Sequence, residues 1–191
     1  MTARVAMISQ ERADQLGAEW GTAGPRMTRA AVRTLAVNPA LGKAVLTLLS
    51  QLLERNTLDA RLRELVIMRI GWATGSAYEW TQHWRVATQT CGIPPEDVLA
   101  VRDWRHSDRL TAADKAVLAA TDETLAGGSI TDTTWAAVAK AIPDQAQQVE
   151  FVVAMGNWTM FSMLLRNLRI PVEDGVAIWP PDGLVSPAAE A

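Results

Sequence analysis

The chain has 191 residues, a formal net charge of -3 and a single cysteine. That length can close a core without disulfides or a structural metal. Cys91 alone makes no internal bridge, which suits a reducing compartment, and the scattered basic residues of an acidic chain form no stripe for a polyanion.

No apolar run reaches the ~18 residues of a spanning helix, and the N-terminus lacks the basic-then-apolar order of a secretory signal. The expectation is a cytoplasmic protein with neither a nucleic-acid nor a membrane partner. Eight Trp stand beside two Phe and one Tyr, an excess that suits an aromatic pocket, a subunit interface or a core.

Residues 1–25 mix polar and small side chains, end in Gly-Thr-Ala-Gly-Pro, and read as an irregular extension. Asn38-Pro39 has the form of a cap followed by proline at the first helical position, and predicts a helix from Pro39 to about Arg55. Asp59 caps the next, which runs to about Trp72 with Leu62, Leu65, Val66, Met68 and Ile70 on its apolar face. Ser76-Ala77-Tyr78-Glu79 has the capping-box form and opens a helix to about Cys91, ended by Gly92 and Pro94-Pro95.

Pro95 starts a short helix through Val101, and residues 102–109 read as a polar link. Thr111 to Asp114 resembles a weaker capping box and opens a helix to Leu125, before Gly127-Gly128. Thr131 or Asp132 opens another to Ala141, and Pro143-Asp144 opens the last, to about Asn167. Residues 170–191 read as a second irregular extension, with Trp179 docked on the body or on a neighbour.

Nothing alternates with period two, so the fold class is all-α, a bundle of about seven or more helices in one domain over 1–191 with its core at about 38–167. A weak self-similarity between Glu64-to-Ser76 and Lys115-to-Gly127 suggests paired helical hairpins.

Chemistry concentrates between Glu64 and His83. Glu79 and His83 lie four apart on one helical face, and Glu64 meets them if the two helices fold back on each other. A carboxylate neighbour raises an imidazole pKa, while burial among Trp72, Trp80 and Trp84 lowers it. Either protonation state is usable, as a base or as an acid that steadies an enolate. Glu64 precedes Leu-Val-Ile-Met; it is either a pocket carboxylate with a raised pKa or a solvent-facing partner of Arg61 or Arg63. Two Glu and one His could also make a facial metal site, but no Glu-x-x-His repeat accompanies them, and the expectation is no metal and no cofactor. There is no phosphate loop, no Gly-x-Ser-x-Gly elbow and no Cys-based zinc spacing.

Arg61-x-x-Glu64-Leu-Val-Ile, Gly75-Ser76-x-x-Glu79-Trp80-x-x-His83, Ala87 and Gly92-Ile93-Pro-Pro-Glu96-Asp97-Val98 together resemble the carboxymuconolactone decarboxylase-like family, which also contains the AhpD-like alkylhydroperoxidases. The likeness runs from about Asn38 to Asn167. It implies an all-helical fold assembled as a homo-oligomer, a dimer, trimer or hexamer. In the peroxidase branch the positions matching Ser76 and Glu79 are both Cys, with Glu and His partners at Glu64 and His83. Here the thiol pair is absent, and a hydroxyl and a carboxylate undergo no disulfide exchange.

The decarboxylase branch works without a cofactor on a small lactone carboxylate. The resemblance carries Glu and His partners to Glu64 and His83, and the expectation for this chain is that these two form a proton-transfer pair, with Glu79 orienting His83. Ser76 binds substrate oxygen or simply caps, Trp72, Trp80 and Arg69 are expected toward a small-molecule substrate, and Arg69 or Arg85 offsets the extra carboxylate. The expected activity is decarboxylation, isomerisation or related lyase chemistry on a carbonyl or lactone compound. The alternatives are a non-catalytic oligomeric binding protein and a diverged alkylhydroperoxidase-like protein without thiol peroxidase activity.

Overall fold

A computed structural model describes residues 2–189; Met1, Glu190 and Ala191, the outermost residues of the two extensions, lie outside the described residues. Nine α-helices and no strand occur among the described residues, so the chain is an all-α bundle. The chain divides into two compact units.

The first unit holds residues up to Asn56 together with Leu164–Val176. Its first element corrects the expectation of an irregular N-terminal extension: helix α1 spans Gln10–Trp20. Ser9 accepts a hydrogen bond from the Arg12 N-H at 3.2 Å, and Gly21 ends the helix at φ 70°, a conformation that favours glycine. The buried residues Ala13, Leu16 and Gly17 repeat at helical spacing but are too small and few to stand out in the sequence. A Cβ at Gly17 would lie 2.8 Å from Met27 Cγ, so glycine lets that side chain sit against α1.

Helices α2 (Ala30–Leu35) and α3 (Pro39–Glu54) follow, and Asn38 caps α3 by accepting from the Leu41 N-H at 3.2 Å. Ala13, Leu16, Met27, Val32, Ala36 and Leu46 form the core of this unit.

The second unit comprises Thr57–Met163 and Ala177 onward. Helix α4 (Ala60–Ala73) begins at Asp59, which accepts from the Leu62 N-H at 3.0 Å. Leu65, Val66, Ile67, Met68 and Ile70 are all buried. Four of them are consecutive, so α4 is covered on every side, as a helix at the centre of a core must be. It packs against α5 (Ala77–Arg85) and α7 (Ala112–Gly127).

Arg61 binds Asp114 through two hydrogen bonds, and Arg69 binds Asp122 through two more. Each partner moves eight residues along its own helix between the two clamps, which fixes α4 and α7 as parallel neighbours. Helix α5 passes into a π-helical turn at Val86–Thr90, followed by α6 (Pro95–Ala100). The stretch read as a polar link is instead a 3-10 segment over Val101–His106, anchored by the buried Val101 and Trp104.

Helix α8 (Asp132–Ala141) packs on α7, so α4–α5 and α7–α8 are the two hairpins that the self-similarity suggests. Helix α9 (Gln145–Leu168) opens at Asp144, whose Oδ1 accepts from the N-H groups of Ala146 and Gln147. No helix among the described residues is long and apolar enough to cross a membrane.

Candidate active site

The α4–α5 hairpin sets the geometry. At the turn, Gly75 adopts φ 69°, and a Cβ there would lie 2.4 Å from the Ala188 carbonyl carbon; only glycine admits the C-terminal segment so close. Along the hairpin, a Cβ at Gly71 would meet the Trp80 nitrogen at 3.1 Å, so the two helices approach closely at that level. Two turns back along α4 and one turn on along α5, Glu64 and His83 come face to face.

Glu64 Oε2 lies 2.8 Å from His83 Nδ1, and its other oxygen accepts from Arg63 Nε at 3.0 Å. Glu64 is fully buried. It therefore joins neither of its expected alternatives cleanly: it pairs with Arg63, but inside the protein rather than in solvent. Glu79 Oε2 lies 3.7 Å from His83 Nε2, so all three expected proton-handling residues meet at one imidazole. His83 keeps 12% side-chain exposure, the only measurable opening of the three acid–base groups beyond a few per cent.

The charges follow from burial set against neighbours. Burial pushes the Glu64 carboxyl up, but His83 and Arg63 outweigh it and hold Glu64 below its ordinary range, ionised rather than raised as its sequence context suggests. Burial lifts Glu79 to about 7, with the attraction of His83 opposing and the negative charge of Glu64 adding. Burial pulls His83 down, and the two carboxylates more than reverse this, leaving it above its ordinary value.

A group that sequence reasoning missed completes the site. The Trp158 Nε1-H of α9 donates to His83 Nε2 at 3.1 Å, with the rings edge to face at 5.7 Å. No spacing signals this, because 75 residues separate the partners. An indole N-H only donates, so Nε2 in this geometry is unprotonated and the Nδ1 proton points to Glu64. The carboxylates favour the imidazolium and Trp158 favours the neutral ring; the hydrogen-bond geometry assigns the neutral ring to this arrangement.

The Ser76–Glu79 capping box does not form, a correction to the sequence reading. The Ser76 N-H that Glu79 would accept from already donates to Gly71 O at 2.8 Å, and Glu79 is drawn inward to His83. Ser76 Oγ is left buried without a hydrogen-bond partner. The box read as weaker is complete: Thr111 and Asp114 exchange both bonds.

Trp72 and Trp80 sit with Trp84 and Trp179 in an aromatic cluster, at centroid distances from 5.3 to 6.3 Å. The Arg102 guanidinium lies 4.8 Å from the ring centres of both Trp72 and Trp80 and is clamped by Asp182. The Trp80 indole N-H donates to Pro180 O at 2.7 Å, and the Trp179 N-H donates to Thr81 Oγ1; Trp179 therefore docks on its own chain.

Arg69 is not brought to the site, since Asp122 and the carbonyls of Val101 and Arg102 engage its guanidinium. Arg85 bonds to Gln89. No group of three or more His, Cys, Asp and Glu side chains among the described residues is placed to hold a metal ion. A cavity of about 430 Å³ lined by Trp135, Gln145, Gln148, Val149, Val152 and Val153 contains none of the acid–base groups.

Residues 39–123 match the model of the carboxymuconolactone decarboxylase family. A sequence search of curated proteins gives no match.

Among solved structures, a complex of a variant of the debrominase Bmp8 with 2,3,4-tribromopyrrole superposes with a TM-score of 0.73 at 17% identity, over 91% of this chain and 94% of that one. A protein of unknown function from Agrobacterium tumefaciens, described as a putative antioxidant defence protein AhpD, gives 0.65 at 21% identity over 73% and 96%. A peroxidase-related protein from Silicibacter sp. TM1040 gives 0.71 at 13% over 87% and 85%. At these identities the structures speak for the fold. The family match spans residues 39–123, short of half of the chain, and with one cysteine where a redox pair needs two the sequence holds no Cys-x-x-Cys motif.

Proposed function

We propose that this protein is a cofactor-independent enzyme that moves protons on a small carbonyl or lactone compound, by decarboxylation, isomerisation or related lyase chemistry. The observation that carries the reading is the buried 2.8 Å contact of Glu64 with His83 Nδ1. An ionised carboxylate there orients the ring and stabilises the imidazolium that forms when Nε2 accepts a proton. Nε2 takes the proton from the carbon beside the substrate carbonyl, and the C-H electron pair becomes an enolate. In a decarboxylation the enolate instead forms as carbon dioxide leaves, and carbon is protonated by His83 after Nε2 has first gained a proton from the Glu79 carboxyl or from solvent.

The unpartnered Ser76 Oγ and the N-H groups at the start of α5 supply donors for the enolate oxygen. Glu79, with a carboxyl near 7, holds or releases a proton at working pH. Trp72 and Trp80 offer an apolar wall; Arg69, occupied by Asp122, drops out of the substrate-binding set.

The test is turnover of a panel of β-keto acids, lactone carboxylates and peroxides by the parent, Glu64→Gln and His83→Asn. The expected result is proton-transfer activity in the parent that falls by about 10²–10⁴-fold in each variant. A parent that turns over nothing, or variants as active as the parent, would overturn the reading, and peroxide turnover that survives Cys91→Ser would move it toward a different oxygen chemistry.

A further inference from the structure

Three groups compete for the two nitrogens of His83, and only one of them is not titratable. Nδ1 faces the ionised Glu64 at 2.8 Å. Nε2 faces two groups: the Trp158 indole N-H at 3.1 Å and a Glu79 oxygen at 3.7 Å. The charged and titratable neighbours are Arg63 and Glu64 from α4 and Glu79 from the same helix as His83. From α9 the group facing the ring is the indole of Trp158, which is itself almost fully buried. A fixed N-H aimed at a nitrogen bonds only to its lone pair, so it stabilises the one neutral tautomer with the proton on Nδ1.

We infer that Trp158 is a positioning residue that holds His83 in its Nδ1-protonated neutral form, and that Glu79 takes over Nε2 once that nitrogen gains a proton. In the first state the Trp158 N-H donates to Nε2 and Glu79 stands off at the longer distance. In the second, Nε2 carries a proton and donates to Glu79, and the indole N-H must turn away from it. The ring thus alternates between an indole donor and a carboxylate acceptor, with one proton gained at Nε2 and none lost at Nδ1.

This assigns a role to a residue outside the Glu64–His83 hairpin and explains why a fully formed acid–base pair carries an aromatic donor on its working nitrogen. Its catalytic consequence rests on the proton-transfer reading above, while the ring state itself does not.

Nitrogen NMR of the imidazoles tests it without a substrate. The chain has two histidines, and the exposed His106 is assigned by His106→Gln, so His83 is read alone. The expected spectrum at high pH shows an unprotonated Nε2 and a protonated Nδ1, and one of the indole N-H signals shifts as His83 titrates; Trp158→Phe removes that signal. The phenyl ring keeps apolar bulk and deletes the donor, so the His83 titration midpoint should move to higher pH, and any pH–rate limb that reports His83 should move with it.

A parent ring with its proton on Nε2, or a Trp158→Phe variant with unchanged midpoint and tautomer, would overturn the inference. If that variant does not fold, the parent decides by itself: an indole signal that tracks His83 on an Nδ1-protonated ring supports the inference, and the absence of either feature sinks it. An inactive parent with the expected ring state would remove the proposed activity and leave the inference standing.

Discussion

Replacing Glu64 with Ala is expected to lower the unfolding free energy by about 3–5 kcal/mol. The carboxylate is fully buried and accepts from both Arg63 Nε and His83 Nδ1. Its removal strands the Arg63 guanidinium, whose side chain is only 7% exposed and whose other polar contact is the Cys91 sulfur at 4.0 Å. An uncompensated buried charge, rather than the lost attraction, dominates the effect. Glu64→Gln keeps the shape and one acceptor oxygen and should lose less. Urea denaturation of the parent and both variants at one pH measures the difference; a loss below about 1 kcal/mol for Glu64→Ala, the range of exposed ion pairs, would mean that Arg63 reaches water or another partner.

Glu79→Gln should change how stability depends on pH. The folded carboxyl titrates near 7 against an ordinary value of 4.5, so between those values the native state holds a proton that the unfolded chain releases. Stability contributed by that proton is present at low pH and disappears as pH rises through about 7. At ~1.4 kcal/mol per unit, the change is about 3 kcal/mol.

The raised His83 contributes in the same direction, losing its stabilisation as pH rises through its folded value. The lowered Glu64 acts oppositely, and its share is lost as pH falls below the ordinary carboxylate range. The parent should therefore lose stability between pH 5 and pH 8. Glu79→Gln should show a flatter profile and exceed the parent at pH 8 by up to about 3 kcal/mol. Urea midpoints at the two pH values check this, and parallel profiles for parent and variant would refute it.

The elements were legible because their stop and start signals are local. Asn38, Asp59, Thr111 and Thr131 each accept an N-H from the first helical turn, and these are choices that single side chains make. The Glu64–His83 contact was legible too, because a four-residue step and a helical hairpin suffice to specify it.

Ser76 misled for a reason that no local pattern contains: its own N-H was already taken by Gly71, and a histidine one turn away attracted Glu79 more strongly than the cap did. Arg69 misled through its angle. Five residues at about 100° each place it roughly 140° around α4 from Glu64, toward Asp122 on α7. Helix α1 was invisible because its buried face is built on Ala13, Leu16 and Gly17, and Trp158 because its contact is made only when α9 packs in three dimensions.

The docking of Trp179 has an optical consequence. Trp72, Trp80, Trp84 and Trp179 are close enough, at 5.3 to 6.3 Å between ring centres, for their ultraviolet transitions to mix into shared excitations. Release of the segment from Ala177 onward would withdraw one indole from that group while leaving the helices unchanged. Near-ultraviolet circular dichroism should therefore lose intensity on Asp182→Ala, which removes the clamp on Arg102, while the far-ultraviolet helix signal stays constant, so the chain carries its own spectroscopic reporter of whether its C-terminal segment is seated.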